Sequence, residues 1–282
     1  MLTSFGTLYV VATPIGNLQD ITLRALHVLK VVDRIAAEDT RHSAQLLKHF
    51  SIHKPILSLH EFNERERVLE VINYLENGES IALLSDAGTP LINDPGYRLV
   101  REAKAKGMTV VPIPGACALI TALSAAGLPT DKFTFEGFLS AKQEARHQQL
   151  ISLSSETRTM IFYEAPHRLL ATLRVMVEVF GGERVATVAR ELTKLHETIS
   201  LSNLQTLVNQ FEAAPDTLRG EVVILVQGVE KAREEAARVS PDVVLSILLT
   251  ELPLKQAAAL ASKITGERKN VLYEMALAMK NK

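Results

Sequence analysis

An α/β protein is what this sequence predicts, and three observations predict it. Short apolar runs rich in β-branched residues recur along the chain, longer amphipathic stretches separate them, and turn residues stop each run. Strands alternating with helices imply a mostly parallel sheet with helices packed on its faces.

The runs 8–12, 81–84, 109–111, 160–163, 185–189 and 222–226 read as buried strands because they are short and continuously apolar. Helical periodicity covers 23–32, 64–77, 97–106, 116–126, 167–180 and 204–211. A further apolar run, 34–37, leads into a candidate helix over 41–50, with Asp39 or Thr40 as its N-cap.

The 282 residues leave room for two domains and a small appendage. With 47% hydrophobic and 22% charged residues, disorder, collagen-like repeats and coiled coil are excluded as the main architecture. Lys and Arg total 31 against 32 Asp and Glu, so total charge gives no reason to expect a nucleic-acid partner. A single cysteine, Cys117, excludes a disulfide framework, cysteine-rich zinc sites and iron–sulfur clusters. No stretch approaches the ~20 apolar residues of a membrane span. The N-terminus lacks the basic region and cleavage site of a secretory leader, so a cytoplasmic protein free of membrane is expected.

The pattern changes over 128–140 (LPTDKFTFEGFLS), and strand ends before it are the ones dense in Gly, Pro and Asp. A boundary near Pro114–Gly115 is expected, dividing the chain into α/β domains over 1–115 and 116–230. The charged stretch 228–239 reads as a helical or flexible connector, and 241–282 as an all-helical appendage. There, Leu254, Ala257, Ala258, Ala261 and Ile264 form one apolar face, and Val271, Leu272, Met275 and Ala276 another, around a polar turn over 265–270. That looks like a helix-turn-helix with Arg268 and Lys269 at the start of its second helix. The last 32 residues hold six Lys or Arg and three Glu, a local charge of +3 that suits RNA contact; dimer packing is the alternative.

Three strand ends could hold a ligand: TPIGNLQDIT (13–22), SDAGTP (85–90) with INDPG (92–96), and PIPGA (112–116). In open α/β sheets ligands bind beyond the carboxyl ends of strands, so these turns are candidates for one crevice. Ordinary turn-making is the alternative for each. No GxxxxGK[ST] occurs and no GxGxxG follows the first strand, which gives ATP or NAD weak support. Backbone amides and carbonyls with one acid, Asp86, suit an amphoteric, nucleoside-like ligand.

PIGNLQDIT, AEDTR (37–41), SDAGTPLINDPG, GFLS (137–140), FYEAPHR (162–168) and RELTK (190–194) occur in this order. With them the chain resembles the tetrapyrrole methylase-like (class III) methyltransferases over its whole length, and within that family the bacterial enzymes acting on small-subunit ribosomal RNA. The resemblance implies two α/β domains with S-adenosyl-L-methionine in the cleft between them, no metal, and a homodimer. It implies methylation of the ribose 2′-hydroxyl of a cytidine in the decoding centre of 16S rRNA in the small ribosomal subunit. By motif position it implies cofactor contacts at Pro14, Asp86, Thr89, Cys117, Ala118, Tyr163 and Ala189, with Gly220 and Glu221 as further candidates. Cys117 departs from the family's PGPSA pattern, here PGACA, which retains backbone contacts there but not a hydroxyl.

Methyl transfer to a hydroxyl calls for alignment and a proton acceptor. Glu38, Asp39 and Arg41, with Thr40 and His42, suit a substrate-facing site, as do His60 and Asn63. Glu191 and Lys194 are a second candidate set, with a structural ion pair as the alternative. His167 and Arg168, behind Pro166 at a helix start, sit where a phosphate meets free amides, and Arg190 is a further RNA candidate. None of these singles out the proton acceptor. A tetrapyrrole or other small-molecule methyltransferase, or a non-catalytic ribosome-assembly protein, is the competing expectation.

Overall fold

Apolar runs in the first half pair side by side in the computed structural model, which describes residues 5–229 and 240–280. Strands β1 (Thr7–Val11), β2 (Arg34–Ala37), β3 (Ile56–Ser58), β4 (Ile81–Leu84) and β5 (Thr109–Ile113) form one sheet in the order β3-β2-β4-β1-β5. Every pairing in it is parallel. Helices α1 (Leu23–Val31), α2 (Thr40–His49), α3 (Glu64–Glu76) and α4 (Tyr97–Ala105) make the crossovers that parallel strands need. Val28, Leu29 and Leu47 pack with Val11, Ile35 and Leu84 on one face; Val71, Leu75 and Leu99 pack with Leu8, Ile81 and Leu83 on the other. Thr22 caps α1 through Ala25 N–H at 3.0 Å.

The second sheet departs from the mostly parallel expectation. Strands β6 (Phe133–Phe138), β7 (Thr159–Glu164), β8 (Val185–Arg190), β9 (Thr198–Asn203) and β10 (Val222–Val226) lie in the order β6-β7-β10-β8-β9. Only β6 and β7 are parallel; β10 runs antiparallel between β7 and β8, and β8 and β9 form an antiparallel pair. Residues 191–197 between β8 and β9 are too few for the crossover of a dozen or more residues that a parallel link requires.

On this sheet α6 (Gln143–Ser152), α7 (Leu169–Phe180) and α8 (Leu204–Ala213) cover one face, placing Leu150, Met176 and Leu207 against Phe162, Val188 and Ile224. Helix α5 (Ala118–Ala125) covers the other, with Leu119, Ala122 and Leu123 against Ile161, Ala189 and Val223. Ile15, from the loop after β1, joins that cluster, and both sheets belong to one compact unit.

Strands β3, β6 and β9 and helix α6 were not predicted by the apolar pattern. All three strands are at sheet edges, and α6 buries only Arg146 and Leu150.

A second compact unit contains α9 (Pro241–Glu251), α10 (Leu254–Thr265) and α11 (Lys269–Lys280). Leu245, Ala258, Ala261, Leu272 and Ala276 form its core. Gly266, at φ 75°, ends α10 in a left-handed cap. The helix-turn-helix expectation is met within these helices, with Arg268 before α11 and Lys269 opening it. The connector expected over 228–239 lies, beyond its first two residues, outside the described residues. No described helix is long and apolar enough to cross a membrane.

Candidate active site

In the parallel sheet every strand points its carboxyl end the same way, so the turns after β1, β4 and β5 gather at one edge. Thr13 and Gly88 exchange backbone hydrogen bonds of 2.8 and 3.1 Å, tying the first two turns together. Gly88 has φ +80°, a conformation glycine adopts without strain. The Thr89 hydroxyl donates to the Ala116 carbonyl at 3.0 Å, tying the second turn to the third.

Opposite stands the edge of the second sheet. Because β10 is antiparallel to both neighbours, its start lies where β7 and β8 end, with Val222 across from Glu164 and from Arg190. Gly220 precedes it at φ +80°, and a Cβ there would lie 2.2 Å from the Glu191 side chain. The Glu191 carboxylate accepts from Lys194 Nζ at 2.8 Å and from the Glu221 amide at 2.9 Å. Asn17 N–H donates to Thr193 Oγ1 at 3.1 Å, stitching the turn after β1 to the segment after β8.

Between the edges is a cavity of about 360 Å³, within the range of small-molecule sites. Its wall is largely apolar, including Ile15, Ile92, Phe138, Leu192 and Val223. The Tyr163 ring meets Phe135 and Phe138 edge-on at 4.8 and 5.7 Å, and its oxygen accepts from Leu119 N–H at 3.2 Å. Burial, with Cys117 adding to it, pushes the Tyr163 hydroxyl well above its ordinary pKa, so it stays protonated.

Three acids, Asp94, Glu164 and Glu221, line the cavity, and no Lys, Arg or His is among its described lining residues. Glu164 is spoken for: its oxygens accept from Ala165 N–H at 2.8 Å and Thr172 Oγ1 at 2.6 Å, and Arg168 lies 3.2 Å away. Asp94 is raised to about 6 by burial, with the Asp86 charge adding and the Ser85 hydroxyl opposing.

Of the residues implied for the cofactor, Thr89, Cys117, Ala118, Tyr163 and Gly220 line this cavity, whereas Pro14, Asp86 and Ala189 do not. Asp86 Oδ1 instead accepts the Asp39 amide at 2.9 Å, bracing the segment after β2 from behind. Pro14 is buried, and Ala189 is fully buried in the apolar cluster under α5.

Asp39 caps α2 by accepting the Arg41 amide at 2.8 Å, and also pairs with the Arg41 guanidinium at 3.0 Å. These contacts hold its carboxyl down at about 2, far too acidic to take a proton near neutrality. Arg41 is largely solvent-exposed. Burial, then Asp86 and Asp94, raise the Glu38 carboxyl.

Glu191 and Lys194 form the ion pair given above; Lys194, Glu221 N–H and Arg190 together outweigh burial and hold the Glu191 carboxyl low. Arg168 donates to the Leu139 and Ser140 carbonyls at 2.6 and 3.0 Å, and Arg190 to Thr198 Oγ1 and the Arg219 carbonyl at 3.4 and 3.3 Å. His167 is exposed, as are Arg268 and Lys269 in the helical unit. Asn63 accepts the His60 amide at 2.9 Å, a brace within its own loop. Sequence reasoning quoted INDPG as a turn and missed Asp94 as a wall residue. Among the described residues no cluster of three His, Cys, Asp or Glu could hold a metal.

The cavity fits the sulfonium donor implied by the resemblance. An apolar wall with acids and no basic side chain admits a cationic nucleoside and disfavours a nucleoside phosphate. Cys117 and Ala118 present the amino-terminal turn of α5, whose positive dipole end suits a carboxylate.

Residues 7–208 match the tetrapyrrole (corrin/porphyrin) methylases, and residues 235–280 match the RsmI C-terminal HTH domain. Over 280 residues the chain is 56% identical to the ribosomal RNA small subunit methyltransferase I of Pseudomonas aeruginosa, covering 99% of each. It is 52% identical over 274 residues to the protein of that name from Escherichia coli O157:H7, covering 97% of this chain and 96% of the other. Among solved structures, the uroporphyrin-III C-methyltransferase of Thermus thermophilus has TM-score 0.56 at 20% identity, covering 79% of this chain and 94% of that one. Diphthine synthase has TM-score 0.58 at 14% identity, covering 79% and 90%. At these identities the two structures share the fold alone.

Proposed function

The chain belongs to the tetrapyrrole (corrin/porphyrin) methylase family, and on that premise we propose that it methylates the ribose 2′-hydroxyl of a cytidine in the decoding centre of 16S rRNA, using S-adenosyl-L-methionine. The observation that carries this reading is the extent of the match. The chain aligns end to end with ribosomal RNA methyltransferases through its C-terminal helices, whereas methylases of the same fold that lack such a likeness cover only 79% of it. A small acceptor gives no reason for the helical unit with its basic turn.

When bound, the donor supplies an electrophilic methyl group on a cationic sulfur. Thr89, Cys117, Ala118, Tyr163 and Gly220 hold it in this reading, while Pro14, Asp86 and Ala189 support those contacts from behind. Tyr163, kept protonated, offers a hydrogen bond inside an apolar wall. The wall excludes water, and aligned reactants account for most of the acceleration, an effect of up to ~7–11 kcal/mol. Glu38 and Arg41 face the RNA, with Asp39 fixing the turn that presents them. Glu191 and Lys194 clasp the Gly220–Glu221 rim. His167, Arg268 and Lys269 meet phosphates, and Arg168 and Arg190 shape the RNA-facing rim.

Residues 1–115 and 116–230 are read as the two halves of the donor site and 241–282 as the RNA-contacting appendage. The reading extends to a cytoplasmic homodimer that works without a metal. The test supplies the purified chain with methyl-labelled donor and small ribosomal subunits from a strain lacking the gene. Label recovered as 2′-O-methylcytidine by nucleoside mass analysis is expected; unlabelled RNA refutes the proposal.

A further inference from the structure

We propose that Phe62 is a stacking platform for a nucleobase beside the methylated cytidine, a substrate-binding residue outside the donor cavity. This rests on the reading above that RNA is the methyl acceptor. Phe62 is 95% exposed, the most exposed large apolar side chain among the described residues. Leaving such a ring in water forgoes the free energy that burying it would return.

The turn that carries the ring is fixed by the next residue. Asn63 Oδ1 accepts the His60 amide at 2.9 Å, and its Nδ2 donates to the Ser58 carbonyl at 3.2 Å. The Asn63 amide donates to the His60 carbonyl at 3.1 Å, and its own carbonyl accepts the Glu66 and Arg67 amides of α3, each at 3.1 Å. Every polar atom of Asn63 is engaged in holding the turn, and none holds the ring. The half-buried His60 ring meets Phe62 edge-on, with centroids 6.1 Å apart, and flanks one side of it.

The turn stands at the sheet edge where the donor turns gather. Just past the strands, Leu59 N–H donates to the Ala37 carbonyl at 2.8 Å, lacing the segment after β3 to the one after β2. Asp39 N–H donates to Asp86 Oδ1 at 2.9 Å, lacing that segment in turn to 85–90, whose Ala87, Gly88 and Thr89 line the cavity. Two strand spacings separate β3 from β4, a distance of about 10 Å across the sheet. An RNA strand with its cytidine sugar at the cavity therefore brings a flanking base within reach of the ring.

The surroundings select a base over a protein. Glu61, Arg65 and Glu66 on the same segment are exposed, as are Arg41 and His42 after β2, so the ring is apolar among polar neighbours. A Phe side chain offers at most about 250 Å² to a partner. A stable protein interface needs about 800 Å² on each side. One ring is instead what one base needs, because unpaired RNA bases stack on aromatic faces while their polar edges stay in water. Both signs of charge surround Phe62, so the grip there is the ring face rather than electrostatic attraction.

Phe62→Ala tests this in the full-length chain with methyl-labelled donor and unmethylated small subunits. KM for subunits should rise by about 5–150-fold, with kcat and donor affinity by calorimetry within about threefold of wild type. Phe62→Leu should match Phe62→Ala and Phe62→Trp should restore binding, because stacking needs a π-face and not only apolar bulk. A separate readout needs no turnover: with photoactivatable azidophenylalanine in place of Phe62, the crosslink on subunits should fall on 16S rRNA within a few nucleotides of the methylated cytidine. A crosslink found only on a ribosomal protein or a second copy of the chain, or none at all, overturns the proposal. So does a Phe62→Ala or Phe62→Leu KM within about threefold of wild type, or a Phe62→Trp KM as high as that of Phe62→Ala. Those results leave wild-type transfer, and the functional reading, standing. Wild-type silence on subunits overturns that reading and this proposal with it.

Discussion

The two sheets build the same cavity by different means. In the first, every strand runs one way, so turns after consecutive strands converge and bond to each other through Thr13–Gly88 and Thr89–Ala116. In the second, β10 arrives where β7 and β8 leave, and the rim is a loop entering a strand, locked by Glu191 across the Gly220–Glu221 amide. A parallel sheet gathers strand ends automatically, while a mixed sheet must clasp an incoming segment with a side chain.

The largest effect should come from emptying the two cores, and it asks whether the sheets are energetically separate. Phe162→Ala in β7 should cost about 3–5 kcal/mol and Leu84→Ala in β4 about 2–5 kcal/mol in urea titrations. Both should lower the midpoint of one shared transition, because the two sheets belong to one compact unit. Two separate transitions would break the comparison into independent domains.

The rims differ next. Gly220→Ala sets a Cβ 2.2 Å from the Glu191 side chain that holds the Glu221 amide, whereas at Gly88 the nearest atom is an Ile15 methyl at 3.3 Å. Gly220→Ala should weaken donor binding by about 10–100-fold, and Gly88→Ala by less than about tenfold. Calorimetry that ranked them the other way would place the tighter grip on the parallel side.

The smallest effect is on stability against pH. Asp94 in the folded chain is raised to about 6, above its ordinary value, so it favours folding at low pH. That contribution is present below about pH 4 and is lost as pH rises through about 6. Asp94→Asn should remove this slope and stabilise the protein near pH 7 by on the order of 1 kcal/mol, allowing for the screening of a partly exposed group. Melting curves at pH 4, 5, 6 and 7 read it directly, and parallel wild-type and variant profiles would deny the shift.

Which parts of this were legible follows from how strands are buried. Central strands β1, β4, β7, β8 and β10 announce themselves as continuous apolar runs because helices cover both their faces. The edge strands β3, β6 and β9 have half-exposed residues such as Thr134 and Ile199, and β6 carries a register shift beside Gly137 at φ 66°. No continuous run survives there. Turn chemistry marked the segments 85–90 and 112–116, since Gly and Pro mark strand ends, while Thr89, Cys117 and Ala118 came by motif position from the family resemblance. It gave Asp86 a ligand contact that the fold uses as a brace, because an acid after a strand looks the same whether it faces a ligand or an amide. Asp94 was hidden for the opposite reason: Asn-Asp-Pro-Gly reads as a turn, and only the folded chain brings Asp94 into the cavity wall.

A ribbon that enters a rim its neighbours are leaving has a practical freedom. The stretch from Pro215 to Gly220 hangs between α8 and β10 and is threaded through neither flanking strand. Residues can be grafted into it without re-routing any connection in the sheet, whereas the turns opposite are tied to one another by a peptide pair and the Thr89 hydroxyl. Insertions placed before the Gly220–Glu221 clasp reshape one lip of the crevice and leave the donor contacts proposed on both rims in place.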